Sequence, residues 1–253
     1  MRRAERWAPI VTAAALLVLW QLVCSLFNIA DYIFPSPLTI LQAMREFAGP
    51  IAEAAWKTFW VTMLGFAIAI VVGVLLGFLV GSSRLAYAAL YPLLVGFNAV
   101  PKAALVPILI VWFGIGLGPG ILTAFLISFF PITVNIATGL ATLEPELEDV
   151  LRVLGAKRWD VLVKVGLPRS MPYFYASLKV AITLAFVGTV LAEMTAGDSG
   201  IGYLMQTAGS QQRMPLAFAG LVAIGVMAMT MYELFSVVEK RTTGWAHRGT
   251  QGD

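Results

Sequence analysis

Two long stretches of this chain carry almost no charge: there is none between residues 58 and 83, and only Lys102 between 85 and 143. A hydrocarbon core of about 30 Å is crossed by roughly 20 apolar residues in a helix. In lipid every backbone N–H and C=O must be bonded internally, which leaves only helices or closed barrels. The strand-period alternation of a barrel is missing. The 12% of charged residues is about half the fraction of a soluble domain, and the mean hydropathy is +0.85. These features predict an all-α integral membrane protein, with residues 1–253 forming one transmembrane domain.

Six spans are expected, at about 9–27, 59–81, 90–113, 121–140, 172–194 and 216–238. The first follows Arg2, Arg3 and Arg6, as a signal peptide would, but its apolar run is too long and no small-residue cleavage site follows. The third contains Pro101 and Pro107, which are expected to break it. Ser36 or Thr39 is expected to cap a short helix after the first span. With the N-terminus inside, twelve Lys and Arg fall in inner segments and three in outer ones. That bias predicts cytoplasmic N- and C-termini.

Several function classes drop out. Cys24 is the single cysteine, so no disulfide forms within the chain, and the lone His247 has no Cys/His cluster to make a zinc site. The basic residues are dispersed, without the aromatic platform of an RNA binder, so no nucleic-acid partner is expected. No G-x-x-x-x-G-K-[ST] loop occurs, so no nucleotide or other cofactor is expected on this chain. With no His, Asp or Cys cluster near an interface, no catalytic residue and no metal ligand are proposed.

One charged island, residues 144–169, interrupts the apolar sequence on the predicted cytoplasmic side. Leu147, Val150, Leu151 and Leu154 follow i, i+3, i+4, i+7, one apolar helical face. Gly155 suits the stop of that helix. Ala156 through Lys164 can form a second short helix carrying Trp159, which Leu167-Pro168 would end. Periodicity alone allows an ordinary amphipathic surface loop, because interfacial helices are common. Elsewhere, Gly73, Gly77 and Gly81 make a ridge of small residues, expected to pack within the subunit more readily than across a dimer seam.

The spacing in the island resembles the EAA loop of ABC importer permeases: Glu-Ala-Ala, three residues, Gly, nine residues, Ile-x-Leu-Pro. Here Asp149-Val150-Leu151 stands for Glu-Ala-Ala, and Gly155 precedes Val165-x-Leu167-Pro168. Phe34-Pro35-Ser36-Pro37, Gly81-Ser82-Ser83-Arg84, Val100-Pro101, Trp112-Phe113-Gly114-Ile115-Gly116, Phe130-Pro131, Ala192-Glu193-Met194 and Gly200-Ile201-Gly202 are similar to the nitrate/sulfonate/taurine subfamily, over about residues 30–240. That subfamily also includes systems for bicarbonate, thiamin-precursor pyrimidines and riboflavin.

The resemblance implies the type I (MetI-like) permease fold in a bacterial inner or plasma membrane. It implies half of a homodimer, with two cytoplasmic ATPase subunits that hold ATP and Mg, and an extracytoplasmic binding protein that delivers a small polar or anionic solute. It assigns ATPase coupling to Asp149, Leu154, Gly155, Ala156, Arg158, Trp159, Leu167 and Pro168. Trp159 would be the anchor in the ATPase cleft, or else an interfacial tryptophan.

Intramembrane polar groups are costly and mark pathways, so Asn98, Lys102, Asn135, Glu193 and Asp198 are the candidates for pathway or gate. Lys102 could attract an anion, pair within the dimer or bond a carbonyl, and the two asparagines could equally join helices. Lys179 is expected to reach the inner interface, and Glu233 to face Lys240 or the partner subunit. A stand-alone secondary transporter or channel is the alternative, weakened by the lack of a clear inverted repeat and of buried carboxylates.

Overall fold

A computed structural model describes residues 2–141, 153–155, 160 and 162–243. Among them there are helices and turns but no strands. The helices are α1 (Arg2–Leu26), α2 (Pro37–Glu46), α3 (Ala48–Gly81), α4 (Arg84–Ala99), α5 (Val106–Phe113), α6 (Leu117–Ala141), α7 (Leu167–Ala196), α8 (Gly200–Ser210) and α9 (Met214–Thr242). A 3₁₀ turn, Lys102–Leu105, precedes α5, and a π-helical turn, Leu162–Gly166, runs into α7. Five helices are long and apolar enough to cross a membrane, and α4 with the segment Lys102–Phe113 makes a sixth span bent by 71°.

The helix ends follow local chemistry. Ser36 caps α2 by accepting the Thr39 N–H at 3.3 Å, and Pro37 occupies the first turn, where a missing N–H costs nothing. Ser83 caps α4 in the same way, accepting from Ala86 N–H at 2.9 Å. Gly114 (φ +76°) and Gly116 (φ +134°) turn the chain from α5 into α6 in conformations that disfavour a Cβ.

Three expectations need correction. α3 begins at Ala48 rather than near 59, because Glu53 and Lys57, paired at 3.0 Å, extend the helix beyond its apolar part. Only the first of the two prolines breaks the third span: Val100 and Pro101 are extended, whereas Pro107 sits harmlessly in the first turn of α5. Leu167-Pro168 ends no second short helix. Pro168 opens α7, and the π-helical turn feeds directly into it.

The core is the contact of α3, α6 and α7. Gly65, Ala69, Gly73, Gly77 and Gly81 form a stripe at four-residue spacing on α3. A Cβ on Gly73 would lie 2.9 Å from Ile132 Cβ, one on Gly77 2.8 Å from Ile136 Cβ, and one on Gly81 2.9 Å from Leu140 Cβ. The ridge therefore packs within the subunit, as expected, against a matching four-residue row on α6. Gly188 of α7 approaches the backbone of Thr123 and Ala124 on α6 as closely, 2.8–3.0 Å from an added Cβ. Ile132, Ala181, Ile182, Ala185 and Phe186 fill the remaining space and are fully buried. α1 stands away from this core, its apolar side chains largely exposed, and is tied down through Trp20, which packs on Phe34 (5.3 Å) and Phe218 (6.4 Å).

Candidate functional site

Three places gather the chemistry that the sequence singled out. The first is the break between α4 and α5. The Lys102 ammonium donates to the Asn98 carbonyl at 2.8 Å and to Asn98 Oδ1 at 2.6 Å, and it lies 5.9 Å from the Phe97 ring. Asn98 is exposed, on a helix that buries none of its residues, and Lys102, in the 3₁₀ turn beyond it, is half-exposed. Asn135 is not brought to this place by any bond: its amide donates to the Pro131 carbonyl of its own helix at 2.8 Å. It therefore joins no helices through this bond.

The second place is the C-terminal end of α7. Glu193 is 8% exposed and faces inward. The Thr58 hydroxyl of α3 lies 2.9 Å from both of its carboxylate oxygens and donates to them, while Gly202 N–H donates to Oε2 at 2.9 Å. Ile201 N–H in turn donates to Thr58 Oγ1 at 2.8 Å. The first turn of α8 lacks helical acceptors for these N–H groups, and its N-cap residue Ser199 makes no side-chain cap. Glu193 and Thr58 cap α8 from two other helices, with the carboxylate at the positive end of the helix dipole. Gly200 (φ +92°) has no room for a side chain, since its Cβ would run into the Glu193 carboxylate.

In the single chain Glu193 thus ties α3, α7 and α8 together. Asp198 is exposed, accepts from Ser199 Oγ at 2.9 Å, and borders a cleft of about 310 Å³ with Glu53, Lys57, Tyr203, Thr207 and Gln211. The polar, Gly-rich segment 195–214 forms α8 across its middle, packed against α3, α7 and α9.

Sequence reasoning missed the threonines of the knot. Thr62 lies one turn beyond Thr58, its hydroxyl 2.7 Å from the Thr58 carbonyl and 2.8 Å from Thr189 Oγ1 of α7, and all three threonines are fully buried. A signal was available: Thr58 and Thr62 stand four residues apart on α3, and Gly65, where the small-residue stripe begins, follows Thr62 at a three-residue helical step.

The third place is the segment that leads into α7. Val153 and Leu154 are exposed, and Gly155 has φ +86°, as a helix stop requires. Asp149, Ala156, Arg158 and Trp159 lie outside the described residues. Of the remaining coupling candidates, Leu167 starts α7 and Pro168 is exposed in its first turn. Nearby, Lys179 of α7 pairs with Glu239 of α9 at 2.6 Å, the two side chains 17% and 13% exposed. The lysine lies 5.8 Å from the Tyr232 ring. Glu233 and Lys240 are exposed.

The family described as "Binding-protein-dependent transport system inner membrane component" matches residues 69–244. The chain is 33% identical over 228 residues to a "Probable ABC transporter permease protein" of Haemophilus influenzae, covering 88% of this chain and 91% of that one. It is 31% identical to the riboflavin transport system permease protein RibX of Chloroflexus aurantiacus, covering 93% and 88%. To the taurine transport system permease protein TauC of Escherichia coli it is 28% identical, covering 92% and 88%. Among solved structures, an inward-facing form of the MetNI methionine ABC transporter matches with a TM-score of 0.68 at 16% identity, covering 78% of this chain and 98% of that one.

Proposed function

This chain belongs to the binding-protein-dependent transport system inner membrane components, and from that membership we propose that it forms one half of a homodimeric pathway driven through its cytoplasmic elbow. As a member, it is a multi-pass permease subunit of an ABC importer for small solutes, with the MetI-like fold. It is not an enzyme; ATP hydrolysis belongs to partner ATPase subunits, and a binding protein supplies the solute.

The finer reading concerns how force enters. The elbow at 144–169 docks the ATPase, with Leu154, Gly155 and the segment to Trp159 as the contact and both termini on the same cytoplasmic side. One observation carries this: past the elbow the chain runs through the Leu162–Gly166 turn into α7 without a break. α7 packs along α6 and ends in the Glu193 knot that holds α8. A push on the elbow is therefore delivered to a rigid helix spanning to the outer surface. The exposed Leu154 and the positive φ of Gly155 give the elbow an apolar tip on a sharp turn.

The solute is a small polar or anionic molecule of the nitrate, sulfonate/taurine or vitamin-precursor class, a range that the names of the relatives, riboflavin and taurine, support.

The test is Gly155→Asp in the complex. Membrane insertion and dimer formation should match wild type, while ATPase retention on purification and ATP-driven uptake in proteoliposomes should fall at least about tenfold, the equivalent of 1.4 kcal/mol at the contact. Normal uptake by that variant, or wild-type transport that needs no ATP, defeats the reading.

A further inference from the structure

Lys102 lies within the broken span formed by α4 and the segment Lys102–Phe113. The Phe97 ring packs on Phe129 at 5.9 Å, and Phe129 is the middle residue of α6, a helix of 25 residues that spans the bilayer. The Lys102 ammonium is 5.9 Å from that same Phe97 ring and so lies on the membrane-embedded part of α6 rather than beyond its ends.

The ammonium is oriented but not neutralised. The break at Val100-Pro101 deprives the Asn98 carbonyl of its helical donor, and the lysine side chain takes that place, with Asn98 Oδ1 as a second acceptor. Both acceptors are neutral. Among the described residues Lys102 forms no ion pair, whereas Lys179 has Glu239. Two donors are left over, the third ammonium hydrogen and the Asn98 amide, which point away from the atoms already bonded. Neighbouring Ala103 and Ala104 are exposed, so the bend turns away from the α3–α6–α7 core. A cation without a counter-charge facing hydrocarbon is among the costliest placements in a membrane protein, and such residues face water-filled cavities instead. Irregular backbone at this depth is tolerated under the same condition.

We propose that Lys102 and Asn98 form an anion-selective station in the translocation pathway, taking small solutes that bear a sulfonate, carboxylate or similar oxyanion. This rests on the importer reading above and narrows its solute class.

The test needs no knowledge of the solute. With Cys24→Ala as background, removing the single native thiol, Ala103→Cys is placed beside Lys102 in the full complex. It is treated separately with the anionic 2-sulfonatoethyl and the cationic 2-(trimethylammonium)ethyl methanethiosulfonate. One positive charge ~6 Å from the thiol in water favours the sulfonate reagent by about tenfold. Lys102→Gln in the same background should bring the ratio close to one. Equal rates with Lys102 present overturn the proposal. So does reaction with a membrane-permeant maleimide alone, which would place the bend in lipid. Ala104→Cys serves as a second reporter if the first variant does not fold. ATPase co-purification is scored on the same samples, so failure of the importer reading shows as a missing ATPase and failure of the station as lost charge selectivity.

Discussion

Thr58→Val isolates the knot at the C-terminal end of α7. Valine has the shape of threonine without the hydroxyl, so the fully buried site keeps its packing. Two interactions vanish: the acceptor for Ile201 N–H at 2.8 Å and the donor to the Glu193 carboxylate at 2.9 Å. A stranded buried N–H costs about 1–3 kcal/mol, and a lost bond to a charged group about 1.5–3 kcal/mol. Together these give a loss of about 3–5 kcal/mol. An ordinary exchanged hydrogen bond between helices in a membrane is worth only about 0.6 kcal/mol, so the two cases are separable. Thr58→Ser keeps the hydroxyl and forgoes one methyl, at about 1 kcal/mol. Unfolding free energies from SDS titration in mixed micelles measure all of these. Glu193→Gln completes a double-mutant cycle, with an expected coupling of about 1–3 kcal/mol. If Thr58→Val stays within about 0.5 kcal/mol of wild type, or the two losses simply add, the knot is not what holds α8 in place.

Three further outcomes follow from the packing. Gly73→Leu and Gly77→Leu should leave little monodisperse protein on size exclusion, since even a Cβ meets Ile132 or Ile136 within 3 Å, whereas Gly96→Ala, with nothing within 4 Å, should behave as wild type. Lys179→Met and Glu239→Gln should each lower stability, by less than the about 3–5 kcal/mol of a fully buried pair, by stranding a part-buried partner, and the double variant should recover most of it; the same SDS titration reads this. Cysteine at Lys57 should react with an impermeant maleimide added to intact cells, and cysteine at Leu154 only after the membrane is opened; the reverse pattern overturns the assigned orientation.

The spans were legible because hydrocarbon tolerates so little charge that the missing charges draw their outline. Helix ends beyond the membrane were not. The N-terminal turns of α3 around Glu53 and Lys57 look like any polar segment, and only their i,i+4 pairing marks them as helix. The glycine ridge was legible because its four-residue period is local. The roles of Glu193 and Lys179 were not, because their partners lie 135 and 60 residues away in sequence. An ionisable residue near a helix end reads alike whether it faces a pathway or a neighbour's backbone. Pro107 shows the same limit at short range: a proline breaks or begins a helix according to the residues before it, and here the chain was already broken at Pro101.

The glycine seam between α3 and α6 has a mechanical consequence. Surfaces that meet main chain to main chain have no rotamers to exchange, so neither helix can roll or slide by a fraction of a turn without a collision. With α7 seated just as tightly through Gly188, these three elements form one rigid body, and a push on α7 moves all three together. Whatever opens and shuts in this subunit has to be sought in the parts that lean on that frame lightly, first of all the elbowed α4–α5 arm.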